Sequence, residues 1–336
     1  MTQLRRRLTI GIVAGFIVVI ALILLGDLRA VMSHLAAFQW SLTPIILLGT
    51  LFNYTLRFLK WHFYLGQIGV RSLPWRESAR LFVAGFPLAV TPGKVGEALK
   101  GVWLNQASGV ATAKGITVVV AERISDGLAV LALSTLGVIA YPRYWPAFAT
   151  VLAVLLFLIL LSQIRPLANA ILNFAEQWTR IRRFVHQLRE FYDGAYILFR
   201  PRATLLAVSL GTIAWLGEGV AMYLILIGLG IPGGLHTLSI AIFVLSFSTI
   251  IGAVSALPGG LGAAEVSIAG MLGWLLHLPA SIAASATLLI RFATLWFGVT
   301  LGLGTWAVSP HLLVPREDAG QAFLRDKINE TSEIQS

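Results

Sequence analysis

Thr91-Pro92-Gly93-Lys94-Val95-Gly96-Glu97-Ala98 lies inside an apolar run, and a near copy, Leu257-Pro258-Gly259-Gly260-Leu261-Gly262-Ala263-Ala264-Glu265, lies inside another in the second half of the chain. Pro removes a backbone donor and Gly permits a sharp reversal, so each stretch breaks a helix rather than continuing one. Inside a membrane such a break exposes backbone polar groups, which is tolerated only where protein or a water-filled cavity surrounds them. Two breaks in corresponding places, built on Pro92, Gly93 and Gly96 and on Pro258, Gly259, Gly260 and Gly262, point to a pair of re-entrant or broken-helix hairpins around a transport site.

Composition sets the setting for these turns. Of 336 residues, 57% are hydrophobic and 12% charged, which excludes a soluble domain and implies an all-α polytopic membrane protein. With no cysteine, disulfide frameworks, Cys-ligated zinc and thiol catalysis are excluded. The histidines are scattered singly, without metal-ligand spacing, and no metal or cofactor is expected. The net charge of +10 is read as cytoplasmic loops facing anionic lipid, and nucleic acid is not expected as a partner.

Taken in order, Arg5-Arg6-Arg7 precede an apolar run from Leu8 to Leu25, read as an uncleaved first span leaving the inner side. A second span runs from about Ser41 to Leu65. The first hairpin covers Ala79 to Leu104, a span from Ile116 to Ala140 leads outward to an aromatic turn over 141–146, and Pro146 to Leu161 returns. Residues 166–200 place apolar side chains every three or four positions with arginines between, the pattern of one amphipathic helix on the inner leaflet or packed on the cytoplasmic face. Spans from Ala203 to Leu229 and Ser281 to Val308 flank the second hairpin, Leu238 to Leu278, whose two arms fit either a re-entrant loop or two full spans. Residues 1–309 thus form the transmembrane domain and 310–336 a cytoplasmic tail, N-in and C-in. Eighteen basic residues, Lys100 among them, fall in the inner segments and only Arg29 and Arg143 in the outer ones, a positive-inside bias.

Leu48-Gly49-Thr50 with Leu210-Gly211-Thr212, Pro92-Gly93 with Pro258-Gly259, and Arg123 with Arg291 recur in the same order at nearly constant offsets. They define repeat units of about 41–140 and 203–308, which the topology makes inverted. Inverted repeats with broken helices are the plan of alternating-access transporters.

Arg57, Lys60, Lys94, Arg123 and Arg291 at membrane depth are matched in number by Glu97, Glu122, Asp126, Glu218 and Glu265. Each such charge costs about 2.5–3.5 kcal/mol on insertion scales, so the set has a purpose, either as ion pairs holding the bundle or as contacts to substrate. Asp126 follows Arg123 by three and shares its helix face, which predicts a pair, while Glu122 points elsewhere. Lys94 and Glu97 are expected at the start of a half-helix, where free backbone donors favour a phosphate, with Glu97 as its cap.

The joint pattern of Arg57-x-x-Lys60-Trp61, the Thr91–Glu97 turn, Glu122-Arg123-x-x-Asp126 and the Pro258–Glu265 turn resembles the lysylphosphatidylglycerol synthase transmembrane region, also called the flippase-like domain family. The resemblance covers the chain to about Val308. Bifunctional members carry a cytoplasmic aminoacyl transferase domain after the membrane part; this sequence continues only as a short tail, so the resemblance implies the lipid-translocating half alone. It implies as partners membrane lipids, anionic or aminoacylated phospholipid or polyprenyl-phosphate-linked, in a bacterial cytoplasmic (inner) membrane. A homo-oligomer and a pathway-enzyme partner both fit this reading. With no G-x-x-x-x-G-K-[ST] stretch, transport is expected to be passive or ion-driven, and with no nucleophile beside a base and no clustered His or Asp ligands the protein is expected not to be an enzyme. Glu97, Glu122 and Glu265 are the expected carriers of a proton or partners of a cationic moiety. An intramembrane lipid-modifying enzyme and a non-catalytic partner in a lipid or hopanoid pathway are the alternatives.

Overall fold

The computed structural model describes residues 27–140 and 145–312, with isolated positions between 13 and 20. The expected first span, most of the 141–146 turn and the 310–336 tail beyond residue 312 lie outside these residues. Among the described residues every element is a helix or helical turn.

The helices are α1 (Leu28–Ala37), α2 (Thr43–Gln67), α3 (Trp75–Ala84), α4 (Leu99–Ser108), α5 (Thr112–Ala140), α6 (Trp145–Gln163), α7 (Arg165–Glu176) and α8 (Thr179–Leu198). They are followed by α9 (Pro201–Gly228), α10 (Leu235–Val254), α11 (Ala263–Leu275), α12 (Ala280–Arg291) and α13 (Phe297–Val308). Trp40–Gln67, Pro201–Gly228, Leu235–Val254 and Ala280–Val308 are long and apolar enough to cross a bilayer, and Phe148–Gln163 with Arg165–Glu176 forms a further candidate bent by 78°. Helix α5 has the length, at 29 residues, but carries Glu122, Arg123 and Asp126. The chain is thus a multi-pass, all-α membrane protein.

Close backbone approach holds the spans together. Hydrophobic burial does little between helices in lipid, so small residues at crossings set the packing. Helix α9 lies along α2, and a Cβ built on Gly49 would come within 3.0 Å of the Gly217 carbonyl oxygen. Gly211, the counterpart of Gly49 in the sequence repeat, serves α9 against α5, where a Cβ would stand 3.0 Å from that of Ala129.

Two buried cores result. One gathers Met222 of α9, Phe243 of α10, Leu272 of α11 and Ile290 of α12. The other gathers Trp61 of α2, Leu81 of α3, Leu104 of α4 and Val118 of α5. A small third cluster, Val90 with Leu261 and Val299, joins the two Pro-Gly turns.

The segment expected as one amphipathic helix is two, α7 and α8, parted at Gln177-Trp178. There the backbone tightens, Gln177 donating to the Phe174 carbonyl and Trp178 to that of Ala175, and Trp178 becomes extended. The apolar period runs unbroken through this corner because Phe174 packs against Trp178, so periodicity gives no sign of it. Arg189 bridges back to Glu176 at 2.8 Å across this corner. Ile171, Phe174, Phe184 and Leu188 remain exposed along the pair.

The arms of the second turn are unequal. Helix α10 is long enough to cross, whereas α11, at 13 residues, is short of the roughly 30 Å hydrocarbon core at about 1.5 Å per residue. In the first hairpin both arms are short, α3 and α4 having 10 residues each.

Candidate functional site

The two Pro-Gly turns repeat each other in backbone geometry. Thr91 (φ −77°, ψ 149°) and Leu257 (φ −68°, ψ 153°) are extended, as a residue before proline must be. Gly93 (φ 59°, ψ 14°) and Gly259 (φ 62°, ψ 10°) then turn left-handed. The next residue is left-handed in both, Gly260 at φ 68° and Lys94 at φ 56°. Glycine adopts this conformation freely, whereas a residue with a Cβ does so at a cost of about 1–2 kcal/mol. The turns meet tip to tip, the Gly93 N–H donating to the Ala256 carbonyl at 2.9 Å.

This geometry corrects the expected half-helix start at Lys94 and its Glu97 cap. Residues Pro92–Ala98 form a tight 3-10 segment kinked at Gly93 and Lys94, and α4 begins only at Leu99. No α-helix N-terminus therefore sits at Lys94. Glu97 does not cap a helix; its Oε2 lies 2.8 Å from Nε of Arg123. Glu265 is the capping residue, accepting from the Gly262 N–H at 2.7 Å, so the second turn's helix start is filled by the protein's own carboxylate.

Five ion pairs on four carboxylates organise the buried charges. Arg123 pairs with Glu97, and Arg291 with Glu265 at 2.5 Å. Lys100 pairs with Glu122 at 2.7 Å, both buried, its ammonium 4.0 Å from the centre of the Trp61 ring. Asp126 is held by Lys60, itself wholly buried, and by Nε of Arg57 at 3.3 Å. The predicted Arg123 to Asp126 pair is only a 4.0 Å graze. Asp126 lies deeper, between two cations of α2, while Arg123 reaches across to the first turn.

Arg57, Lys94, Glu97, Arg123, Asp126, Glu218 and Arg291 line one cavity of about 700 Å³, while Lys60, Glu122 and Glu265 stand outside its lining. That volume suits a ligand of drug or headgroup size. Two groups at the cavity have no partner among the described residues: the Lys94 ammonium and the Glu218 carboxyl make no ion pair or side-chain hydrogen bond. The indole N–H of Trp215, also lining the cavity, is buried and unsatisfied. Both arginines are anchored to a glutamate through Nε, which leaves terminal nitrogens available, and Arg291 also donates from Nη2 to the Gly259 carbonyl at 3.1 Å. Directly after Arg291 the helix widens into a π turn, Phe292–Trp296, whose Thr294 carbonyl accepts the Tyr54 hydroxyl at 2.5 Å. Widened turns of this kind recur at functional sites.

A second hollow of about 340 Å³ adjoins the first, sharing Val151, Ile250 and Val254 with it and otherwise lined by Leu131, Phe148, Phe247, Ile251 and Ser255. Val254 and Leu257 are exposed at the rim of the larger cavity.

Sequence reading missed Lys100, counted only among the inner-side basic residues, and Trp215. Lys100 carries a signal in retrospect: it follows Glu97 by three on the same hairpin, at a depth where Glu122 needs a counter-charge. Trp215 carries none.

These features define a polytopic helical membrane protein with a charge-lined intramembrane cavity between two matching turns. The chain belongs to the lysylphosphatidylglycerol synthase TM region family, whose pattern matches residues 12–302. It is also similar to a UPF0104 membrane protein of Methanothermobacter thermautotrophicus, 27% identical over 326 residues, a match covering 86% of this chain and 89% of that protein. No solved structure matches the chain.

Proposed function

We propose that the protein moves a phosphate-bearing lipid between the leaflets of the bacterial inner membrane, with no covalent step. The observation that carries this reading is the cavity itself: the guanidinium groups of Arg123 and Arg291 and the unpartnered Lys94 converge there from both halves of the chain. A phosphate is met by such donors through charge-assisted hydrogen bonds. The adjoining apolar hollow and the exposed Val254 and Leu257 suit alkyl chains that stay in the hydrocarbon while the headgroup is held. The repeated turns, one in each half, support an inverted pair of units that rock about the cavity.

The test is leaflet accessibility of headgroup-labelled lipids in proteoliposomes, with anionic phospholipid, aminoacylated phosphatidylglycerol and polyprenyl phosphate in separate arms. Accelerated exchange of one class, lost in a folded Arg291→Ala variant, is expected. No acceleration for any class, with or without a proton or sodium gradient, refutes the reading.

A further inference from the structure

Five carboxylates lie within the membrane part of the chain, and four have a cation against them: Glu97 has Arg123, Glu122 has Lys100, Asp126 has Lys60 and Arg57, and Glu265 has Arg291. Glu218 has none. It sits on α9 with 4% of its surface exposed, lines the 700 Å³ cavity, and forms no hydrogen bond with a described residue. A buried charge with no partner is costly, and a second negative charge brought beside it makes it costlier.

We infer that Glu218 is a proton site of the cavity, taking one proton from water when an anionic headgroup enters and releasing it when the headgroup leaves. The inference rests on the headgroup reading above and adds an ion to it. The groups facing Glu218 are Arg57 and the Tyr54 hydroxyl from α2, Asp126 from α5 and Arg291 from α12, while α10 presents Leu245 and Thr249 to the cavity. Burial and Asp126 favour the neutral acid, while the cations Arg57 and Arg291 favour the ionised carboxylate. A bound phosphate takes up that positive field and repels the carboxylate, so the neutral acid is favoured. Glu97, Glu122 and Glu265 are unsuited to the role because neutralising any of them strands its arginine or lysine.

Linkage fixes the sign: if anion binding takes up a proton, the anion binds more tightly as pH falls, by up to about tenfold per pH unit for one linked proton. Short-chain phosphatidylglycerol is a suitable probe, since its phosphodiester keeps one charge throughout the range. Its binding to the purified full-length protein is measured by titration calorimetry from about pH 5 to about pH 8, in buffers of differing ionisation enthalpy that report the protons exchanged. The expected result is affinity falling with rising pH and proton uptake on binding, both lost in Glu218→Gln. Binding without slope or proton uptake in the wild-type protein overturns the proton site and leaves the headgroup reading standing. A slope that persists in Glu218→Gln also overturns it. Should that variant not fold, proton uptake by the wild-type protein still decides, its absence sinking the proposal. Failure of the probe and of polyprenyl phosphate to bind at any pH removes the headgroup reading and the proton site with it.

Discussion

Arg291 meets Glu265 through its Nε at 2.5 Å, and Arg123 meets Glu97 through its Nε at 2.8 Å. The same interval of 168 positions separates Glu97 from Glu265 and Arg123 from Arg291. Each pair joins a Pro-Gly turn to a long helix, so one contact both fixes the turn and orients a guanidinium at the cavity. The two roles can be separated. Either Arg→Ala change strands a buried carboxylate and is expected to cost about 3–5 kcal/mol of stability. The Glu265→Gln/Arg291→Gln double change removes both charges and leaves an amide at each position, so it is expected to recover most of that loss in detergent unfolding while lipid exchange stays at the protein-free rate. Recovery of exchange along with stability would assign the pair to the fold alone.

Lys94 occupies the position that Gly260 occupies in the second turn, and both are left-handed. The chain thus holds a strained lysine where glycine fits without cost, and that lysine has no partner among the described residues. Lys94→Gly relieves about 1–2 kcal/mol of backbone strain, offset by about 0.5–1 kcal/mol of extra freedom in the unfolded chain. The variant is expected to unfold at the same or a slightly higher denaturant concentration and to exchange lipid at least tenfold more slowly. A variant that is less stable and exchanges normally would give Lys94 a structural role.

The helical, membrane-embedded character of the chain and its two broken turns were legible because proline, glycine and unbroken apolar runs act locally. A charge at membrane depth is conspicuous in any sequence, and seven of the ten read there line the cavity, but Lys60, Glu122 and Glu265 do not, and Lys100, which does, was not among them. What was not legible is who pairs with whom. Asp126 and Arg123 share a helix face, which favours their pairing, yet Lys60 and Arg57 come from α2 and take the carboxylate. Lys100 is joined to Glu122 beneath Trp61 only by the packing of α4 against α5. Such choices are decided by helix crossings set through Gly49, Gly211 and Gly217, contacts between residues far apart in sequence. Glu218 stands out only once the other four carboxylates at membrane depth are seen to be matched.

The contact between the turns is the place to test movement. Val90 and Leu261 belong to one small apolar cluster, and the backbone link from Gly93 to Ala256 runs beside it. If the two halves of the chain rock about the cavity, this junction must part in each cycle, since the turns come from different halves. The chain has no cysteine, so Val90→Cys/Leu261→Cys places the only two thiols at the junction with no competing background. A short bismaleimide joining them is expected to abolish lipid exchange, while each single variant treated with the same reagent keeps it. A disulfide formed by mild oxidation is expected to block exchange likewise and to release it on reduction. Undiminished exchange through a fully cross-linked junction would mean that the turns move as one body, and that access to the cavity changes by a motion elsewhere in the bundle.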